Sequence, residues 1–389
     1  MENSSLSAAD GLVFKRKIRR ASSAFFFVSG FGYATWASRI PSLQQQLNLN
    51  EAELGAVLFA LPLGLLLTMP LTAKLLARHS NNKIMMWGAI FFNLVLCLPG
   101  FTNTIWQLVV VLLCFGSSRN LLNISMNAHS VGAQKFYTKS IMTTFHGIWS
   151  LAGFAGGGIG YLMVSNNITP AYHLPAAGIA LTLVSIYFYP STLHQQPIQE
   201  QRKPMFSLPD QSVLKYALIC FACMACENIM YDWSIIYFEK TTLSLSSVAI
   251  TAFVIYMISM TMGRLIGDKI VNAFGIVNIL KYSGLLIFVG LLVSVVFPVN
   301  YVIFIGFAFV GVGVSCIVPL VFSLAGRNNT NSGLAVASIS TVGYLGFLVV
   351  PPLVGFLAQL TSLRWAFGVF SLLGLLIFFM SLKIKEKEA

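Results

Sequence analysis

The sequence predicts an all-α, polytopic membrane protein whose twelve transmembrane helices form two pseudo-symmetric six-helix bundles. Three observations lead there: a composition too apolar for a water-facing surface, a series of apolar runs of spanning length, and basic residues gathered at alternate connections. Hydrophobic residues make up 57% of the 389 and charged residues only 9%, with a mean hydropathy of +0.79. A soluble domain carries about 25% charged residues, so a chain this apolar would have no polar shell to present to water.

A spanning helix needs roughly 20 mostly apolar residues, and lipid offers the backbone no hydrogen-bond partner outside its own helix. The expected spans are 20–43, 52–77, 84–101, 104–132, 141–164 and 173–190, followed by 213–238, 247–271, 277–297, 300–325, 332–359 and 363–382. Between the two sets lies a polar stretch containing Pro197, Pro204 and Pro209, which reads as a linker. The expected organisation is therefore a first bundle over 1–190, a linker over 191–212 and a second bundle over 213–389. Little chain remains for a soluble catalytic domain.

The formal charge of +12 is explained by its placement. Basic clusters fall at Lys15 to Arg20, Lys74 to Lys83, Lys135 and Lys139, Arg202 to Lys215, Arg264 to Lys281, Arg327, and Lys383 to Lys387, whereas 99–104, 165–172 and 298–301 carry no charge. That alternation follows the positive-inside rule and places both termini in the cytoplasm. The bilayer is thus the expected partner of the basic residues, and nucleic acid is not. All six cysteines lie inside apolar runs, so no disulfide framework is implied. Cys220, Cys223 and Cys226 read as small residues at a helix contact, and no metal or cofactor is expected.

The halves repeat a local pattern. Leu47-Asn48-Leu49-Asn50-Glu51 opens the second span as Leu243-Ser244-Leu245-Ser246-Ser247 opens the eighth, with Trp36 and Trp233 at similar distances upstream. Asn50 with Glu53 has the spacing of a capping box, and Ser246 or Ser247 is the expected cap of the other helix.

Gly263-Arg264-Leu265-Ile266-Gly267-Asp268-Lys269, ending at Phe274-Gly275, resembles the signature cytoplasmic loop of the major facilitator superfamily. The counterpart after the second span, Ala73 to Lys83, is degenerate. Five further matches resemble the bacterial YbjJ-like subgroup: Trp36-x-x-Arg39-Ile40-Pro41, Met126-Asn127-Ala128, His146-Gly147-x-Trp149-Ser150, Glu227 with Tyr231-Asp232-Trp233-Ser234, and Gly343 to Phe347 with Pro351-Pro352. The resemblance implies a monomeric inner-membrane transporter with a central cavity lined by the first, fourth, seventh and tenth spans and working by alternating access. It also implies that Gly263, Arg264, Gly267, Asp268 and Lys269 form a charged loop that latches the cytoplasmic side. The chain departs from the subgroup in having Asn123 where Asp is usual, and in carrying Arg119 outside the motif.

Ionisable groups inside spans cost about 2.5–3.5 kcal/mol each on insertion scales and mark functional positions. Four stand out: Arg39, Arg119, Glu227 and Asp232. Arg39 and Asp232 occupy equivalent positions near the outer ends of the first and seventh spans, so a gating pair, or a static one, is expected between them. Glu227 lies deeper and is the candidate proton-coupling acid, against a purely structural role, because a carboxyl group in such a setting can carry a proton as well as a charge. Asn120, Asn123 and Asn127 share one face of the fourth span beside Arg119. With His146, Trp149, Tyr231 and Trp233 they are the candidate substrate-binding groups, the alternative being hydrogen bonds between packed helices.

A cationic site fits a small polar solute, anionic or zwitterionic. There is no nucleotide-binding loop of the G-x-x-x-x-G-K type, so the expected driving force is an ion gradient, with the proton as coupling ion. No convergent nucleophile and base suggest an enzyme. The rival readings are an exporter of drugs, metabolites or lipidic compounds, and a transporter-like membrane sensor.

Overall fold

The computed structural model describes residues 8–137, 141–194, 211–328 and 332–384. Most of the expected linker lies outside them. Every regular element among the described residues is helical.

The first half comprises α1 (Ala8–Ala37), a short α2 (Ile40–Gln46), α3 (Glu51–Leu58), α4 (Ala60–Arg78), α5 (Asn81–Leu96), α6 (Ile105–Gln134), α7 (Met142–Ser165) and α8 (Pro170–Phe188). The second comprises α9 (Gln211–Thr242), α10 (Ser246–Phe274), α11 (Ile276–Val296), α12 (Asn300–Val314), α13 (Ile317–Asn328), α14 (Ser332–Leu360) and α15 (Leu363–Leu382). The second span is α3 continued by α4, and the tenth is α12 continued by α13 across Ser315 and Cys316. Among the described residues, eleven helices satisfy length and apolarity for a span. The twelfth is α1, 30 residues long but diluted by Ser22, Ser29, Gly30, Gly32 and Thr35. Those residues suit it to packing against α6, α7 and α8 rather than facing lipid alone.

Two boundaries differ from expectation. The first span stops at Ala37 and restarts as α2, with Pro41 in the first turn, because Pro41 has no N–H to give the Ala37 carbonyl and its ring would clash with it in a continuous helix. More consequentially, Gly263 to Lys269 is not a loop: α10 runs through it to Phe274 and ends at Gly275, whose φ of 78° stops the helix. The aliphatic run Leu265, Ile266, Ile270 and Val271 contains no earlier breaker.

The two halves use the same entry turn. Asn48 (φ 51°) and Leu243 (φ 53°) adopt the left-handed region two residues before the N-caps Asn50 and Leu245. The capping box forms at Asn50, whose Oδ1 accepts from Glu53 N at 2.9 Å while Glu53 Oε2 accepts from Asn50 N at 3.0 Å. The serine cap expected on α10 does not form. Ser246 instead donates to Glu239 Oε1 at 2.9 Å.

Each half is held by close backbone approach. A Cβ added to Gly116 on α6 would lie 1.8 Å from the Leu61 carbonyl oxygen on α4. Between the halves, α10 packs on α7 and α14 on α3, the latter where Gly55 meets the Pro351 carbonyl and Gly355 meets Glu51. We call the end carrying both chain termini the terminal end, and the end carrying Asn50 the distal end. The α3–α14 contact lies at the distal end, and α14 touches the continuing α4 only slightly.

Gly116→Ala should therefore lower the thermal unfolding temperature in detergent, by the equivalent of about 1–3 kcal/mol for an overpacked site. Gly158→Ala, inside α7 where an added Cβ meets nothing within 4 Å, should not lower it and should raise it slightly, since alanine favours helix over glycine.

Candidate functional site

A cavity of 510 Å³ lies between the halves. The first half contributes Tyr33 from α1, Leu61 and Leu65 from α4, Arg119, Asn120, Asn123 and Asn127 from α6, and His146 and Trp149 from α7. The second contributes Glu227, Asn228 and Asp232 from α9, Arg264 from α10, and Tyr344 and Phe347 from α14. No described residue of α12 or α13 lines it. The tenth span, expected as a wall, reaches the site only through the Ser315 carbonyl, which accepts from Arg264 Nε at 3.3 Å.

Arg264 is the junction of the site. Its Nη2 pairs with Glu227 Oε1 at 3.4 Å and its Nη1 donates to Ser150 Oγ across the interface at 2.7 Å. The guanidinium carbon lies 5.8 Å from the Trp149 ring centroid. Arg264 thus joins α7 of one half to α9 and α13's approach in the other. A charge inside a membrane protein needs this density of partners, because removing one member leaves the rest desolvated and unpaired.

Arg119 is held differently. Its guanidinium carbon sits 3.7 Å over the Tyr33 ring, a cation–π contact, within electrostatic reach of Asp232. Among the described residues it forms no ion pair, and it lines the cavity with its Nε buried. Asp232 is itself within hydrogen-bonding reach of Asn228.

The asparagine stripe is both wall and scaffold. Asn120 Nδ2 donates to Thr72 Oγ1 at 3.0 Å, and Asn127 Nδ2 to the Asn123 carbonyl at 2.8 Å. Trp149 Nε1 donates to Ser29 Oγ at 3.3 Å, and Ser29 Oγ in turn to Asn123 Oδ1 at 2.9 Å. This relay ties α7, α1 and α6 together and orients the indole beside Arg264. His146 is open to the cavity.

Several expected site residues lie elsewhere. Arg39 makes no pair with Asp232: its Nε donates to His173 Nδ1 at 2.9 Å and its Nη2 to the Ile168 carbonyl at 2.8 Å, both on or beside α8 in its own half. The helix break at Ala37 turns Arg39 away from α9. Trp233 is fully buried in the core and lines no part of the cavity. Tyr231 sits behind the wall, its ring 5.1 Å from Tyr33 and 6.3 Å from Trp149. Gly263 and Gly267 pack α10 against Ser315 and Cys316, Lys269 is exposed, and the Asp268 side chain lies outside the described set. Arg264, assigned to a latch by resemblance, belongs to the cavity. It continues the buried stripe of Met257, Met260 and Thr261 at helical spacing, a signal present in the sequence. Tyr33, Asn228, Tyr344 and Phe347 were not anticipated, although Asn228 adjoins Glu227.

The distal end is closed by other groups. Lys240 pairs with Glu51, and Gln45 Nε2 donates to Glu239 Oε1 at 3.1 Å, each contact linking α9 to the first half. No cross-half hydrogen bond or ion pair between described residues lies at the terminal end.

Together, two helical bundles and a charged cavity at their interface define a membrane transporter rather than an enzyme. The chain belongs to the Major Facilitator Superfamily, whose sequence profile matches residues 22–332. It is 32% identical over 349 residues to an uncharacterised MFS-type transporter of Yersinia pestis, covering 90% of this chain and 91% of that one. Among solved structures it resembles a mutant of the nucleoside transporter NupG, with a TM-score of 0.75 at 14% identity over 95% of this chain and 99% of that one. It also resembles a D-xylose-proton symporter, with a TM-score of 0.75 at 12% identity over 94% and 96% of the two chains. At such identities these two likenesses speak for the fold alone.

Lys240→Glu should loosen the distal closure by repelling Glu51. The pair is partly exposed, so the effect is under about 1 kcal/mol, up to roughly fivefold in opening. In a cysteine-free background, maleimide labelling of Leu49→Cys should accelerate accordingly and return to baseline when Glu51→Lys is added.

Proposed function

We propose that the protein is a secondary active transporter of a small zwitterionic solute, driven by protons and working by alternating access of 1–190 against 213–389. The observation that carries this reading is the interfacial cavity itself: Arg119, Arg264, Glu227 and Asp232 all face one space of 510 Å³, within the range of about 300–1,000 Å³ typical of small-molecule sites. Arg119, free of an ion pair and stacked on Tyr33, takes the solute's carboxylate, Asp232 faces its ammonium group, and the asparagine face supplies neutral hydrogen bonds.

Glu227 is the coupling acid in this scheme. A proton on its carboxyl group cancels the charge that holds Arg264 at 3.4 Å, and so loosens the tie from Arg264 to Ser150 across the interface. Proton binding is thereby linked to the relative position of the halves. Distal closure by Lys240 and Glu51 corresponds to an inward-facing state, with the terminal end cytoplasmic by the positive-inside rule. The resemblance carried by the motifs at Trp36, His146 and Tyr231 supports reading the chain as a YbjJ-like bacterial inner-membrane carrier.

The test is a thermal-shift panel of amino acids, organic acids, sugars and nucleosides on purified protein, followed by proteoliposome uptake of the hit. Arg119→Gln should weaken binding of a zwitterion by about tenfold to a hundredfold, the range for hydrogen bonds to charged groups. Stabilisation by neutral sugars alone, indifferent to Arg119→Gln, contradicts the assignment. Glu227→Gln should preserve exchange down a gradient while abolishing uphill accumulation and its pH dependence; retained accumulation removes Glu227 from the coupling role.

A further inference from the structure

A second cavity, of 760 Å³, lies at the terminal end of the first half, away from the interface. Lys15, Arg16, Arg19 and Arg20 of α1 form one rim, and none of the described lining residues is acidic. Beneath the rim the walls become apolar, with Phe27 from α1, Ile148 from α7, and Val184 and Phe188 from α8. The four basic residues enter no ion pair among the described residues. Their backbone is nevertheless fixed: Tyr137 Oη donates to the Lys15 carbonyl at 2.9 Å, and the Arg19 guanidinium lies 5.8 Å from the Tyr137 ring centroid.

The wall helix α8 exposes Leu183, Ile186 and Tyr187 on its outer side, so hydrocarbon is the medium beside this groove. A unipolar cationic rim over an apolar slot at the end of a span matches one kind of occupant, a molecule with an anionic head and long apolar tails. A soluble anion would leave the slot unfilled, and a neutral lipid would leave the rim without a counter-charge.

We propose that this groove binds an anionic diacyl phospholipid, its phosphate held by Arg16, Arg19 and Arg20 and one acyl chain lying along Phe27 and Val184. Because α1 also carries Tyr33 into the central cavity and holds the cavity-lining Trp149 through Ser29, a lipid seated on its terminal turn steadies a helix that lines the transport site.

The experiment uses full-length protein in micelles supplemented with phosphatidylglycerol, phosphatidylcholine or glycerol phosphate, read by native mass spectrometry and thermal shift. Phosphatidylglycerol should be retained and should raise the unfolding temperature, whereas the other two should not. Arg16→Gln with Arg20→Gln should weaken retention about tenfold, while Lys74→Gln with Arg78→Gln, which removes equal charge from the same end elsewhere, should not. Val184→Trp, which fills the slot without altering charge, should also abolish retention. Equal retention by both charge variants, or by Val184→Trp, overturns the proposal. Binding of glycerol phosphate as tight as that of the diacyl lipid also overturns it, since the site would then be a soluble-anion site.

Discussion

A guanidinium group placed inside a membrane protein must be satisfied from every side, and the arrangement around Arg264 follows from that requirement. It is paired with Glu227, bonded to Ser150 of the opposite half and to the Ser315 carbonyl, and flanked by Trp149. Trp149 is itself oriented by Ser29 and Asn123. One partly buried cation therefore gathers groups from both halves, and with Arg119, Glu227 and Asp232 it makes the centre of the interface polar. In the proposed transport scheme, the same tie resists a change of relative position until the charge balance at Glu227 changes.

The remainder of the interface is built to allow movement. Close packing of backbone on backbone, as at Gly116 and Leu61, makes each half stiff, since no side chain intervenes that could repack. Between the halves the distal contacts are modest: one partly exposed ion pair, one side-chain hydrogen bond and the Gly55–Gly355 approach. Surface pairs of this kind contribute under about 1 kcal/mol each, weak enough to be broken and remade in a transport cycle.

The fold was legible because lipid permits few solutions: spanning length and alternating basic loops led to twelve helices. Much of the cavity was legible too, since the high cost of intramembrane charge picks out Arg119, Glu227 and Asp232, and the asparagine spacing picks out one face of α6. The errors arose where a one-dimensional pattern cannot report a bend or a rotation. Arg39 has the right depth to meet Asp232, but the break before Pro41 turns it toward His173. Resemblance assigns Arg264 to a loop, whereas its helical spacing from Met257 and Thr261 puts it on the inward face of α10. Trp233, at a position equivalent to Trp36, shares its burial rather than a role in the cavity.

Pulsed electron paramagnetic resonance on spin-label pairs tests the central claim most directly. One pair spans the halves at the distal end, at the exposed positions Asn103 and Thr361, and the other spans the terminal end at Lys83 and Phe274. On moving from alkaline to acid pH, or on introducing Glu227→Gln, the account predicts that one distance distribution lengthens as the other shortens. Two distributions that stay unchanged under both treatments would contradict a carrier whose halves rock about a proton-sensitive Arg264 tie.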